Sequence, residues 1–61
     1  MKEVKKLSEE LTQLWNDFAL NNEKFMNGNK SAGGRARKAI GAMRKLTTAY
    51  RKSTIEAAKS L

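Results

Sequence analysis

The sequence of 61 residues contains no cysteine, no histidine and no proline. Without cysteine the chain forms no disulfide, and without cysteine or histidine it lacks the ligands that zinc and most transition metals prefer. Nucleophilic catalysis by a serine needs a neighbouring base, and the serines of this chain have none in a recognisable arrangement. We therefore expect no metal site, no cofactor and no enzymatic activity.

A phosphate-binding loop is also missing, although two glycines have its spacing. Gly28 and Gly33 are followed by Gly34 and Arg35, where the nucleotide-binding motif requires Lys and then Ser or Thr. We expect no small-molecule substrate.

Long hydrophobic runs are absent as well. Apolar residues make up 39% of the chain but stand at intervals, whereas a membrane-spanning helix needs about 20 mainly apolar residues in succession. The first residues lack the apolar stretch and the cleavage site of a secretory signal. We expect a soluble cytoplasmic protein with no membrane partner.

The short length limits the core that one chain can build. Below about 70–80 residues a single hydrophobic core rarely contributes more than about 3–5 kcal/mol. Because disulfides and metals are not available, assembly of several chains is the remaining way to bury more apolar surface. We expect a homo-oligomer, with a dimer as the first choice.

Positive charge is concentrated in the second half of the chain. The net charge is +7; residues 1–29 hold four lysines and five acidic residues, whereas residues 30–61 hold nine Lys or Arg residues and Glu56 as the only acid. This asymmetry suggests that the first half serves folding and assembly, and that the second half also binds an anion.

Apolar residues in the first half recur in alternating steps of three and four, the spacing of a helix that packs along one seam. The pattern predicts a helix over about residues 2–26. Asn21 interrupts the seam, where it either sets the register and number of the packed helices or lies at a solvated helix end. The seam consists of Val4, Leu7, Leu11, Leu14, Phe18 and Phe25, with Trp15 beside it.

A second helix is predicted from about residue 30 to residue 60, after a turn at residues 27–29. Gly28 suits the left-handed position that ends a helix, and Asn29 suits the N-cap of the next one. A turn this short makes the two helices antiparallel neighbours. The apolar seam of the second helix consists of Ala32, Ala36, Ala39, Met43, Leu46, Tyr50 and Ala57, with Ile40 and Ala49 beside it.

Gly33, Gly34 and Gly41 fall within the second helix but off this seam by the heptad count. Each costs about 1 kcal/mol relative to alanine in a helix interior. Either these glycines are tolerated weak points, or their bare backbone lets a phosphate approach amides near the helix N-terminus.

The predicted fold is therefore all-α: one helical-hairpin domain over residues 1–61, assembled into a homo-oligomeric four-helix bundle. Because the second seam is rich in alanine, the bulky side chains of the first helix are expected to provide most of the hydrophobic stabilisation. The residues expected in the core or the oligomer contact are Val4, Leu7, Leu11, Leu14, Trp15, Phe18, Phe25, Ile40, Met43, Leu46 and Tyr50.

Arginine and lysine recur together every seven residues along the second helix. Seven residues make nearly two helical turns, so these side chains return to one face, away from the apolar seam. At ~1.5 Å per residue this face extends over about 44 Å. We call it the basic ridge, and it consists of Lys30, Arg37, Lys38, Arg44, Lys45, Arg51, Lys52 and Lys59.

The ridge and the ninth cation, Arg35, predict a nucleic-acid partner. Within this helix only Glu56 balances them, although acidic residues of the first helix could pair with some. Arginine grips phosphate oxygens with a planar fork, and lysine offers a point charge. The second helix contains no Asn or Gln to read bases, and Tyr50 lies on the seam. We expect binding to double-stranded DNA through its phosphates, with little sequence preference.

Two other kinds of partner compete with DNA for this charge pattern. The basic helix of a small regulator would instead dock an acidic protein partner or RNA. A membrane surface would attract the same charges, but the alanine-rich apolar side offers little to insert.

The second half of the chain resembles the bacterial linker-histone-like proteins of the chlamydial type. The similarity is marked around GNKSAGGRARKA, it covers about residues 28–59, and the first helix matches only in its amphipathic character. The resemblance implies a nucleoid-associated protein that binds and compacts DNA. The residues that carry it are Gly28-Asn29-Lys30, Ala32, Arg35, Arg37, Tyr50-Arg51-Lys52, Ile55, Ala57 and Lys59.

By position, the resemblance implies DNA contacts at Lys30, Arg35, Arg37, Arg51, Lys52 and Lys59. Lys38, Arg44 and Lys45 extend the ridge on the physical argument alone. The chlamydial prototype continues into a long Lys/Ala-rich tail, whereas this sequence stops at Leu61. We therefore expect bridging of DNA to come from an oligomer that presents several ridges.

Overall fold

The computed structural model describes all 61 residues, which form two α-helices. Helix α1 extends over Lys2–Met26 and helix α2 over Lys30–Ala58. The helices pack against each other as a hairpin with principal extents of 48 × 14 × 12 Å. The predicted all-α helical hairpin is confirmed, and α2 ends at Ala58 rather than at about residue 60.

The turn at residues 27–29 is closed by hydrogen bonds from both helices. Gly28 has a φ of 101°, the only positive φ in the chain, which glycine adopts without steric cost. The Asn29 amide donates to the Lys24 carbonyl at 3.0 Å. Asn29 Oδ1 accepts from the Ala32 amide at 3.3 Å and so caps α2. The chain therefore reverses within three residues, and α2 begins against the end of α1.

Small side chains of α2 form most of the buried contact between the helices. Ala32, Ala36 and Ala39 are buried, whereas Leu7 is the only buried residue of α1. Alanine allows the helices to approach closely, but it removes little apolar surface from water, and each Å² contributes only about 25 cal/mol. One hairpin is thus closely packed but has a small core.

Gly33 belongs to this contact, which corrects its predicted place off the seam. It is buried, and an ideal Cβ atom at this position would lie 2.8 Å from Cδ1 of Phe25. The packed stripe of α2 is wider next to the turn than the heptad count allows, because the two helices are held together there by the short connection. Gly33 makes room for the Phe25 ring and is not available to a phosphate.

The bulky residues of the predicted core are less buried in one chain than the small ones. Trp15, Phe25 and Ile40 remain 57%, 50% and 48% exposed. Within a single hairpin, the side chains of α1 therefore do not provide the expected large core, because α2 covers only one side of α1. Their burial in an oligomer remains a prediction. The half-buried members of the predicted set are Val4, Leu11, Leu14, Phe18, Met43, Leu46 and Tyr50.

Candidate nucleic-acid interface

Most of the basic ridge lies on the face of α2 that points away from α1, and its members Arg37 and Lys38 lie at the two borders of that face. Every cation of the ridge is exposed, whereas Ala32, Ala36 and Ala39 on the opposite face are buried. A residue advances by about 100° around an α-helix, so positions seven apart drift by only ~20°. The ridge therefore stays on one side of α2 and extends over about 44 Å of a molecule that is 48 Å long.

The spacing of the ridge limits repulsion between its own cations. Like charges three or four positions apart on a helix destabilise it, and the ridge avoids such pairs because its cations recur every seven residues. The positions between successive pairs, on the same face, are Gly34, Gly41, Thr48 and Ile55, which carry no charge. An ideal Cβ at Gly41 would meet nothing within 4 Å, so the helix backbone is openly accessible there.

The positive charge of the ridge is almost uncompensated by acidic side chains. The ion pair between Lys59 Nζ and Glu56 Oε2, at 3.5 Å, is the only one in the chain, and both side chains are mostly exposed. An exposed pair of this kind contributes little, about 0–1 kcal/mol. No acidic residue of α1 lies within ion-pair distance of an α2 cation, so pairing between the helices does not neutralise the ridge.

Arg35 lies apart from the ridge, in contact with α1. Its Nε donates to Asn21 Oδ1 at 2.8 Å, and Asn21 Nδ2 donates to the Asp17 carbonyl at 2.8 Å. Arg35 precedes Arg37 by two residues, which places it about 160° away around the helix. The structure thus leaves Arg35 beside α1. Two ridge cations also border α1, because Lys38 lines the same groove as Arg35 and Arg37 lines the groove on the opposite side of the hairpin. A contact of Arg35 with DNA remains a prediction.

The same hydrogen bond explains the polar residue in the α1 seam. Asn21 is half-buried inside α1, which continues to Met26, so it does not lie at a solvated helix end. Instead it joins α1 to α2 through Arg35. Sequence reasoning missed this pair, although the sequence contains a signal for it: a polar residue interrupts the α1 seam, and one cation of α2 departs from the seven-residue repeat.

Other kinds of site find little support in the arrangement of side chains. The structure contains no group of three or more acidic residues placed to hold a metal ion. Neither helix is both long and apolar enough to cross a membrane. The depression on the outer side of α1 is lined entirely by polar residues, namely Ser8, Glu9, Thr12, Gln13 and Asn16.

A slender helical hairpin with an uncompensated basic face belongs to the class of small basic all-α proteins. The chain is a member of one family in that class: the model of the histone H1-like protein Hc1 family matches residues 1–60. The resemblance found in the second half is confirmed, and the match includes α1 as well. This is a family of histone-like, DNA-binding nucleoid proteins and not an enzyme family. Comparison with curated proteins and with solved structures found no match.

Proposed function

We propose that the protein binds double-stranded DNA through its phosphates, with little sequence preference, and acts in nucleoid architecture. The observation that carries this proposal is the uncompensated ridge, whose eight cations are exposed and of which only Lys59 has an acidic partner. Folding does not use these side chains, because the helices pack through the opposite face of α2. The ridge is therefore free to exchange water and counterions for phosphate oxygens.

The composition of α2 favours the backbone over the bases as the target. It contains no Asn or Gln, the side chains that read adenine, and Tyr50 is half-buried instead of presented for stacking. The ridge length of about 44 Å corresponds to about 13 base pairs at ~3.4 Å per step. Duplexes of about 20 base pairs therefore suit the binding experiments.

Oligomers would turn this binding into compaction. A homodimer, arranged as a four-helix bundle, presents two ridges and so holds two DNA segments at once. Each hairpin exposes bulky apolar residues, such as Trp15 and Ile40, that assembly would cover. A protein of this kind acts in the nucleoid, in the cytoplasm.

The proposal is tested by the salt dependence of binding to a duplex of mixed sequence. With about six phosphate contacts, a plot of log affinity against log salt has a slope of about −5. Fluorescence anisotropy with a labelled duplex measures it, and a second duplex of unrelated sequence should give the same affinity. An affinity that stays flat between low and moderate salt contradicts the proposal.

A pair of charge reversals separates the ridge from net charge. The double variant Arg44→Glu/Lys45→Glu lies on the ridge, whereas Lys5→Glu/Lys6→Glu makes the same change of charge on α1, and all four residues are exposed. We expect the ridge variant to lose at least about tenfold in affinity on every sequence and to have a shallower salt slope. Equal losses in the two variants would show that the ridge is not the binding surface.

A further inference from the structure

The two long sides of the hairpin, where α1 and α2 meet, differ in character. One side, which we call the bonded flank, consists of Asp17, Asn21, Arg35 and Lys38 and is closed by the hydrogen bond from Arg35 to Asn21. The other side, which we call the open flank, has the Trp15 ring 5.5 Å from that of Phe18. It is lined by Phe18, Asn22, Phe25, Gly33, Ala36, Arg37 and Ile40.

We propose that a second copy of this chain packs on the open flank. This inference rests on the oligomer in the proposed function and specifies its contact surface.

The first observation is a second seam on α1. Leu14, four residues before Phe18, and Asn21, three residues after it, lie on the side of the bonded flank. Trp15, three residues before Phe18, and Asn22, four residues after it, lie on the side of the open flank. A helix with two adjacent seams packs against two neighbours, as helices of a four-helix bundle do. In the single chain, α2 covers only the first seam.

The second observation is that α1 has no charged side chain on the open flank. Between Val4 and Phe25, the α1 residues that fall on this face at spacings of three and four are all apolar or uncharged. Ser8 and Trp15, seven residues apart, are two of them. Depletion of charge distinguishes the centre of a protein interface from ordinary surface. Arg37 of α2 is the one charged residue that lines the flank, and it is exposed in the single chain.

The hydroxyl groups on this flank are already satisfied within their own helices. Ser8 Oγ donates to the Lys5 carbonyl at 2.9 Å. On α2, Thr47 lies seven residues after Ile40, and its Oγ1 donates to the Arg44 carbonyl at 2.7 Å. Because these two donors need no water, covering them leaves neither hydroxyl unpaired. The side-chain amide of Asn22, which lines the same flank, takes its partner from the second copy.

The accessible area supports a second copy as the occupant. The chain exposes 5001 Å², whereas a compact monomer of this mass exposes about 4,000 Å². The excess, about 1,000 Å², is close to the ~800 Å² that each partner buries in a stable interface. Two identical open flanks are chemically matched, since each is mainly apolar and aromatic with Arg37 as its one charged residue, and a two-fold axis brings the same patch of each chain together. Apart from Arg37, which lines the flank, the ridge cations lie outside the proposed contact.

The test measures mass by light scattering and exploits Trp15 as the only tryptophan. We expect the wild-type chain to have twice the monomer mass of 6.8 kDa, with tryptophan emission that shifts to longer wavelength on dilution. Trp15→Glu places a charge in the open flank, and we expect the dimer dissociation constant to rise at least about 30-fold, as at interface hot spots. A wild-type mass of 6.8 kDa at all concentrations overturns the proposal.

Leu20→Glu is the matched control. Leu20 is on the same helix, is exposed to a similar degree (54% against 57% for Trp15) and lies outside the open flank, so this variant should remain dimeric. If both variants dimerise like the wild type, the open flank is not the interface. If Trp15→Glu loses its helical circular dichroism signal, the wild-type chain still provides the test. A Trp15 ring outside the interface would show no shift of its emission on dilution, which would contradict the proposal.

Binding to a short duplex distinguishes this proposal from the proposed function. Trp15→Glu keeps all eight ridge cations, so a monomeric variant should bind a labelled duplex but fail to join two duplexes in a bridging assay. A wild-type protein that forms the dimer but does not bind DNA would contradict only the proposed function. Bridging by a monomeric Trp15→Glu variant would contradict the role of the dimer.

Discussion

The inner and outer faces of α2 differ in burial and charge, although they belong to one continuous helix. The inner face, with Ala32, Ala36 and Ala39, is buried against α1, and the outer face carries the basic ridge in full exposure. The comparison shows how a 61-residue chain folds through one face of a helix and keeps a row of cations exposed on the other. Small residues permit close packing on one side, and a seven-residue repeat keeps the cations together on the other. Substitutions on the two faces should therefore separate stability from DNA affinity.

The largest effect is expected from one added carboxylate on each face. Ala36→Glu puts a charge into the buried contact, where Ala36 is 7% exposed, and should lower the free energy of unfolding by at least about 2 kcal/mol. Thr48→Glu puts the same charge on the ridge, three or four residues from Arg44, Lys45, Arg51 and Lys52. It should raise stability by a few tenths of a kcal/mol.

For DNA binding, Thr48→Glu should have the larger effect and Ala36→Glu the smaller one. Thr48→Glu cancels about one phosphate contact, so the salt slope should fall by about one unit. Ala36→Glu should leave the slope unchanged under conditions where the chain remains helical. Thermal unfolding by circular dichroism and anisotropy titrations measure the two quantities. A stable Ala36→Glu protein with weakened binding would show that the faces are not separate.

An intermediate effect is expected from replacing a glycine by alanine on each face. Gly41 lies in open space on the outer face, so Gly41→Ala should stabilise the protein by about 1 kcal/mol. At Gly33 the new Cβ would lie 2.8 Å from the Phe25 ring, so the same gain should be reduced or reversed. Thermal unfolding of both variants gives the comparison, and equal stabilisation would contradict the close contact.

Gly41→Ala also tests whether a phosphate approaches the bare backbone of the ridge. If the cationic side chains alone bind DNA, the affinity of this variant should equal that of the wild type within about twofold. A larger loss, in a protein that has become more stable, would show direct approach to the helix backbone.

The smallest effect is expected from the two arginines that stand two residues apart. Arg35→Ala removes the 2.8 Å hydrogen bond to Asn21, and because both groups are solvated it should cost less than about 1 kcal/mol of stability. Arg37→Ala should leave stability nearly unchanged and reduce the salt slope by about one unit. Chemical denaturation and salt titrations measure both. A reduced slope in Arg35→Ala, equal to that of Arg37→Ala, would place Arg35 at the DNA.

Sequence periodicity is sufficient to predict the hairpin and the shared face of the ridge. Val4, Leu7 and Leu11 mark a helix through steps of three and four, and Gly28 with Asn29 marks the reversal. These signals are local: they depend on residues within two turns of one another. The resemblance to a histone-like family is also visible in the second half, and the family match includes α1 as well.

The residues that periodicity misplaces are those whose environment depends on the other helix. The heptad count puts Gly33 off the seam, yet it is buried because Phe25 folds back over it at the turn. The expected DNA contacts include Arg35 together with the ridge cations, yet Arg35 bonds to Asn21, which is 14 residues away. A helical repeat describes directions around one axis, and it does not state which side chain of a neighbouring helix will occupy the space.

The sequence by itself determined two amphipathic helices, a reversal at Gly28 and a row of cations opposite an alanine face, because each depends only on the geometry of one helix. Only the tertiary structure decided that the flanks of the hairpin differ, with Arg35 bonded across one side and Trp15 and Ile40 exposed on the other. The physical reason is that burial and hydrogen bonding are properties of the space between helices, and the distance and rotation of α1 against α2 define that space.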